Sequence, residues 1–475
     1  MTKNIDTDIL VIGAGSGGLS VAAGAAQMGA RVVLVEKGKM GGDCLNYGCV
    51  PSKALLAAGK AAHHAAHASA MGTTVSGISV DFKQVHDHVH QVIAGIAPHD
   101  SVERFEGLGV TVIKGHARFK GPREVEADGH VIRAKRIVVA TGSSARIVPI
   151  PGLDGVPYLT NETVFDLTER PEHLVIIGAG PIGLEMAQAF RRLGSKVTVL
   201  ERFTPLPKDD PELAAIVLDS LRDEGVDLRS DIEVKSVAYA AETGLVVQVE
   251  KDGVASEIKG THLLLAAGRA PNVAGLDLEK AGIAYSERGI STDARLRTSN
   301  KRVFAIGDVR GGLQFTHVAG YEAGIVIRNI LFRLPAKADY SAVPWVTYTD
   351  PELAHVGLDE AQAREKFGDK IKVLSIDYKE SDRARAEGAT KGRVKLIVKS
   401  GRPIGATIVG AQAGELIQLW ALAISQKMKV SALAGYIAPY PSLGELNKRV
   451  AGSYFTDTLF SERTKKIVRF ILMLG

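Results

Sequence analysis

The 475-residue chain holds two cysteines, Cys44 and Cys49, and both fall in one short stretch, GGDCLNYGCVPSK. Two thiols so close together in a chain that otherwise avoids them can make a structural crosslink or a redox-active pair. Loop entropy gives a crosslink of this size only about 2 kcal/mol, against about 5 kcal/mol for a loop of ~100 residues. Structural disulfides are also rare in a reducing cytosol. Local composition favours reactivity. Pro51 suits the first turn of a helix, and the following KALLAAGKAAHHAAHA is rich in helix formers. Cys49 is therefore expected at a helix N-terminus, where the dipole favours a thiolate. Lys53, four positions on, would share its helix face and place a cation beside the sulfur. The chemistry expected is reversible exchange of an electron pair at a disulfide.

Such a pair needs a source of electrons, and the chain carries one motif twice that can hold it. Residues 8–36 read apolar strand, GxGxxG (Gly13, Gly15, Gly18), small-residue helix, second apolar strand and an acid, Glu36. Residues 174–201 repeat the order with Gly178, Gly180, Gly183 and Glu201, and the acid follows the first glycine by 23 residues in both copies. The glycines permit a tight turn, close approach of a pyrophosphate to a helix N-terminus and close helix-to-strand packing. The acid can accept from ribose hydroxyls. Each copy is followed by an Asp-Gly hairpin turn, Asp128-Gly129 or Asp252-Gly253, and then by a buried strand ending at small residues, Ala140-Thr141-Gly142 or Ala266-Ala267-Gly268. Whole domains are duplicated. A third short strand, VFAIGDV, ends at Gly307-Asp308, and a helix is expected from about Thr316.

Length and composition agree with several domains: 45% hydrophobic content over 475 residues supports about three cores. The division expected is 1–150, 151–268, 269–340 and 341–475, the last changing to alternating strands from VPWVTYTDPE onward. The N-terminal residues run straight into an apolar strand, with no secretory or organellar presequence pattern, which reads as cytoplasmic. No apolar run reaches the roughly 20 residues of a membrane span. The 58 basic and 53 acidic residues are interspersed, so nothing points to nucleic acid.

Taken together, these stretches resemble the flavoprotein disulfide reductases, the family of dihydrolipoamide dehydrogenase, glutathione reductase and mercuric reductase. GGDCLNYGCVPSK resembles its redox motif, GAGSGG with Glu36 its FAD fingerprint, ATG and AIGD its further FAD contacts, GAGPIGLE its pyridine-nucleotide fingerprint, and TDPELAHVG the start of its dimerisation domain. The resemblance implies an α/β chain with two Rossmann-like domains, for FAD and NAD(P), and a C-terminal α+β dimerisation domain. In the implied homodimer NAD(P)H reduces FAD, and reduced FAD opens the disulfide. Cys44 would meet the substrate, Cys49 would face the flavin, and Lys53 with Glu185 would form the ion pair near its reactive nitrogen. The implied FAD residues are Gly13, Gly15, Gly18, Glu36, Lys37, Gly42, Lys53, Ala117, Thr141, Gly142, Asp308, Thr316 and Ala319. Those for NAD(P) are Gly178, Gly180, Ile182, Gly183, Glu201, Arg202 and Gly268. Glu201 favours free ribose hydroxyls, hence NADH, while Arg202 keeps NADPH in play.

The chain departs from the family at one catalytic position. Disulfide-reducing members carry a histidine acting across the dimer interface, with a glutamate behind it; here APYPSLGELNK places Tyr440 at the histidine position and keeps Glu445. A phenol near pKa 10 lies about 3.5 units, or about 5 kcal/mol, from imidazole as a neutral-pH base. The acceptor expected is therefore a metal ion or quinone-like molecule more than an ordinary dithiol. Mercuric reductase also carries tyrosine there, yet this sequence lacks that enzyme's C-terminal cysteine pair. A dihydrolipoamide dehydrogenase with an atypical acid/base group and a non-enzymatic redox sensor are the competing readings. Asp43 stands where threonine is commoner and could be a local base or a surface acid. Seven histidines fall between His63 and His99, at spacings such as His63/His67 and His86/His90 that suit a helix surface or a metal pair. No resident metal is assigned. RTKKIVRFILMLG is basic and apolar together; packing on the dimer is expected, with peripheral membrane contact as the alternative.

Overall fold

The computed structural model describes residues 3–240 and 244–474. By contacts the chain forms two units, Met1–Pro205 with Arg229–Ala338, and Leu206–Leu228 with Asp339–Gly475.

The first unit contains both fingerprint copies. Its larger sheet has seven strands. Val110–Lys114, Val32–Glu36, Lys3–Ile12 and His130–Val139 run parallel in that order, and Glu124–Ala127 and Arg118–Gly121 extend it antiparallel. Val303–Ala305, from beyond the second copy, joins alongside His130–Val139. Strands such as Ile9–Ile12 and Val32–Val35 are buried end to end, as a parallel sheet covered on both faces requires. The second sheet sets His173–Ile177 between Lys196–Leu200 and His262–Leu265, again parallel. Both Asp-Gly turns are tight hairpins with positive φ at each residue: 46° and 69° at Asp128-Gly129, 52° and 79° at Asp252-Gly253.

The two fingerprint turns match bond for bond. Gly13 and Gly178 adopt φ of 105° and 110°, and a Cβ at either would strike the carbonyl ending the neighbouring strand, Ala140 or Ala266. A Cβ on Gly18 or Gly183 would strike the carbonyl of Gly13 or Gly178, which is how helices Ser16–Gln27 and Pro181–Arg192 seat so close to their turns. The middle glycines differ in kind. Nothing lies within 4 Å of a Cβ built on Gly15 or Gly180, so both face open space at a helix N-terminus.

The second unit is built on a five-stranded antiparallel sheet in the order Pro344–Thr347, Glu352–Gly357, Arg402–Gly410, Arg393–Lys399, Ile371–Asp377. Helix Ala413–Ser425 contributes the buried Trp420, whose indole N–H donates to Asn447 Oδ1 at 2.8 Å on helix Glu445–Ser453. Helix Pro211–Asp223 belongs to this unit, although its place in the sequence groups it with 151–268. Its N-cap Asp210 holds the nearly buried Lys395 at 2.8 Å, giving both charges a partner.

Candidate functional site

Gly41 and Gly42, with φ of 85° and 60°, turn the chain so that the redox segment lies on the first fingerprint turn. Gly41 N–H donates to Ala14 O at 3.0 Å, and a Cβ on Gly42 would come within 2.7 Å of Gly15 Cα. Asn46 fastens the segment by donating to Met40 O and Gly42 O, both at 2.9 Å. Cys44 sits in the short helix Gly42–Asn46, and Cys49 is the first residue of helix Cys49–Ala66, at the end where backbone N–H groups stabilise a thiolate.

Thr316 Oγ1 lies 3.4 Å from Cys49 Sγ. The neighbouring Cys44 thiol brings the Cys49 thiol down to about 6 against desolvation, with the Thr316 hydroxyl and the Lys53 charge helping and Asp43 opposing. Cys44 moves the other way, up, because its proton is held by Cys49 and its surroundings are desolvated. In the reduced pair the negative charge is favoured on Cys49 and the proton on Cys44. Lys53 Nζ lies 2.8 Å from Glu185 Oε2, whose side chain is only 6% exposed.

Asp43 is neither free nor idle. Its Oδ1 accepts from Asn161 Nδ2 at 2.8 Å and pairs with Arg269 Nη2 at 3.0 Å. Arg269 also donates to Ser143 Oγ at 2.7 Å and Ser143 O at 2.8 Å, and Ser143 Oγ donates to Asp308 Oδ2 at 2.6 Å. A chain of hydrogen bonds therefore joins the redox turn to the acid ending the third strand. Burial pushes the Asp308 carboxyl up, against the Ser143 bond and the Arg269 charge. Glu322, 1% exposed, accepts from Gly307 N at 2.6 Å and pairs with Arg310, fixing the turn that carries Asp308.

Glu36 accepts from Ala14 N and Gly38 N, both at 2.6 Å, and Glu201 accepts from Ala179 N at 2.8 Å and Phe203 N at 3.0 Å. Both acids are held at strand tips beside the open glycines. Thr141 and Gly142 are tied to Asn272, which donates to Thr141 O at 3.0 Å and to Gly142 O at 3.0 Å. Gly268 has φ of 101°. Lys37, Ile182 and Arg202 are exposed, whereas Ala117 is buried. Ala319, also buried, packs its methyl toward Gly17 and Gly307. In the second unit, Tyr440 is 72% exposed and its hydroxyl donates to Asp382 Oδ2 at 3.0 Å, which raises the phenol above its ordinary value. Glu445 accepts instead from Ser442 N at 3.5 Å. His63 stacks on His67 at 4.1 Å and His86 lies 4.2 Å from His90, but no group of three or more metal-ligating side chains occurs among the described residues.

Asn161, Arg269, Ser143, Asn272 and Asp382 carry no motif that marks them in the sequence. Arg269 has the best signal, directly after the AAG that ends a repeat strand, yet its partner lies more than two hundred positions upstream.

The residues present fit FAD: Gly15 leaves room for a pyrophosphate, Glu36 is held for a ribose, and the half-buried Asp308 carboxylate is tied through Ser143 and Arg269 to the Asp43 beside Cys44. Residues 7–323 match the family described as Pyridine nucleotide-disulphide oxidoreductase, and residues 343–451 match its dimerisation domain. The chain belongs to this family. It is an FAD-binding, NAD(P)H-dependent oxidoreductase of the α/β class, and its C-terminal dimerisation domain supports a homodimer. It is 36% identical over 446 residues to a mercuric reductase of Bacillus cereus, covering 93% of this chain and 70% of that one. Identity to a dihydrolipoyl dehydrogenase of Thermus scotoductus is 38% over 456 residues, covering 92% and 95%. The Cu(II) complex of the HOCl-induced flavoprotein disulfide reductase RclA from Escherichia coli superposes with a TM-score of 0.84 at 30% identity, covering 95% of this chain and 100% of that one.

Alkylation of Cys49 in the reduced protein, followed by peptide mass spectrometry against pH, is expected to show a midpoint near 6. Cys44→Ala removes the strongest stabiliser of that thiolate and should raise the midpoint by about one unit or more. An unshifted midpoint would show that the two sulfurs do not share a proton.

Proposed function

We propose that the protein passes electrons from NADH, through FAD and the Cys44–Cys49 disulfide, to a soft metal ion or a quinone-like acceptor in preference to an ordinary dithiol. The observation that carries the choice of acceptor is Tyr440, a phenol at the family's histidine position whose hydroxyl is already donating to Asp382. The raised phenol keeps its proton at neutral pH and is a poor base, so it cannot relay protons to and from a dithiol as imidazole does. Relatives named mercuric reductase, and the copper complex of a structural neighbour, support a metal ion.

FAD would be held by Gly13, Gly15 and Gly18, with Glu36 toward its ribose and Asp308 toward its chain, and supplies two-electron transfer between nicotinamide and disulfide when bound. The chain's own residues handle the charge. NADH delivers two electrons and one proton; the S–S bond opens, Cys44 takes the proton and Cys49 remains a thiolate. No second proton is needed, because Cys49 titrates near 6. Lys53, Thr316 and the helix N-terminus stabilise that anion. When metal ions draw on both sulfurs, Cys44 releases its proton and the S–S bond re-forms, its two electrons leaving on one mercuric ion or shared singly between two cupric ions. A quinone taking two electrons and two protons draws one from Cys44 and one from solvent.

For the nicotinamide, Glu201 supports NADH because its carboxylate is held by two backbone N–H groups beside Gly180. Arg202 is engaged elsewhere, 3.5 Å from Glu233 and over the Phe203 ring. Catalytic efficiency with NADH should exceed that with NADPH by about tenfold or more, and a clear NADPH preference would reverse the assignment.

Tyr440 is tested by steady-state kinetics with dihydrolipoamide and a metal ion side by side. Tyr440→His should raise dithiol turnover within the roughly 10² to 10⁴ range of general acid–base catalysis. Tyr440→Phe should leave dithiol turnover low and cut metal-ion turnover. Wild-type dihydrolipoamide turnover typical of a histidine enzyme, unmoved by either substitution, would defeat the choice of acceptor.

A further inference from the structure

The last described helix, Glu462–Leu472, buries none of its residues. Its N-terminus is capped by Ser461, which accepts from Thr464 N at 3.2 Å, so the helix is well started without being packed. Ile467, Val468, Phe470, Ile471 and Leu474 are 49%, 48%, 62%, 58% and 72% exposed. At about 100° per residue the four that lie on the helix, Ile467, Val468, Phe470 and Ile471, share a single arc of roughly 160°. Lys465, Lys466 and Arg469 occupy the opposite arc with Glu462, which pairs with Lys465 at 2.8 Å, while Arg463 and Thr464 fall within the apolar arc near its N-terminal end. Four cations thus accompany one acid on this eleven-residue helix. At 1.5 Å per residue it is about 17 Å long. That length cannot cross a bilayer, and no described helix is long and apolar enough to do so.

The sequence pattern alone favours packing of this segment on the dimer. Charge points elsewhere. An isologous pairing of two such helices would bring two sets of cations together, whereas an anionic surface meets both faces: headgroups take the lysines and arginines while the acyl boundary takes the apolar arc.

We propose that helix Glu462–Leu472 docks the enzyme on the surface of an anionic lipid bilayer, lying in the interface plane. The proposal is independent of the acceptor assigned above.

The test is co-sedimentation of the FAD-loaded full chain with vesicles of phosphatidylcholine alone and of phosphatidylcholine mixed with phosphatidylglycerol. Binding to the anionic vesicles only, reversed by high salt, is expected. Ile467→Glu combined with Ile471→Glu, and separately Lys465→Glu combined with Lys466→Glu, should each weaken binding by about tenfold or more, with NADH-driven turnover and dimer mass unchanged. No binding of the wild type to phosphatidylglycerol vesicles, or equal binding by either variant, would overturn the proposal. So would conversion of the Ile467→Glu/Ile471→Glu variant to a monomer, which would make the apolar arc a contact between copies.

Discussion

Glu185 lies in the helix of the second fingerprint with its side chain almost wholly out of water, and a buried carboxylate is stable only with a partner. Lys53 supplies it at 2.8 Å from the helix that begins at Cys49. The two helices meet closely: a Cβ on Gly59 would come within 3.2 Å of Ala189 O. The ion pair therefore fixes the redox helix against the nucleotide helix, and the position of Cys49 follows from it. The same lysine lowers the Cys49 thiol, so one cation serves both packing and chemistry.

Around that fixed helix, three chain segments far apart in sequence converge through short hydrogen bonds. Gly41 and Gly42 bring the redox turn onto the first fingerprint, Thr316 brings the start of a late helix to the sulfur, and Arg269 ties Asp43 to Ser143 and so to Asp308. A disulfide that must open and close at each turnover needs its two sulfurs held in register while their charge changes. A low Cys49 and a high Cys44 divide that charge between them, since Cys49 keeps the negative charge and Cys44 carries the proton.

The fingerprint turns are legible in the sequence because glycine spacing is a local code. Gly13 and Gly178 need positive φ, Gly18 and Gly183 need the absence of a Cβ, and no other residue satisfies either. The Asp-Gly hairpins and the helix starts at Cys49 and Thr316 are local in the same sense. Asp43 stands out in the sequence without explaining itself, since its meaning lies in Arg269 and Asn161, and no periodicity links those positions. Asp382 is invisible there for the same reason: its tie to Tyr440 is made only by the fold. The grouping of Leu206–Leu228 with the C-terminal unit leaves no trace in composition; its ties, such as Asp210 to the buried Lys395 and Asp209 to Trp345, are made only by the fold.

If electrons leave through the cysteine pair, the direct measurement is NADH-driven reduction of a cupric or mercuric ion by the FAD-loaded Cys44→Ser and Cys49→Ser variants. Both should retain FAD and the fold, because so small a disulfide loop contributes only about 2 kcal/mol. Metal-ion turnover should fall to background in each. Metal-ion turnover at the wild-type rate in either variant would contradict this route and make the disulfide a bystander.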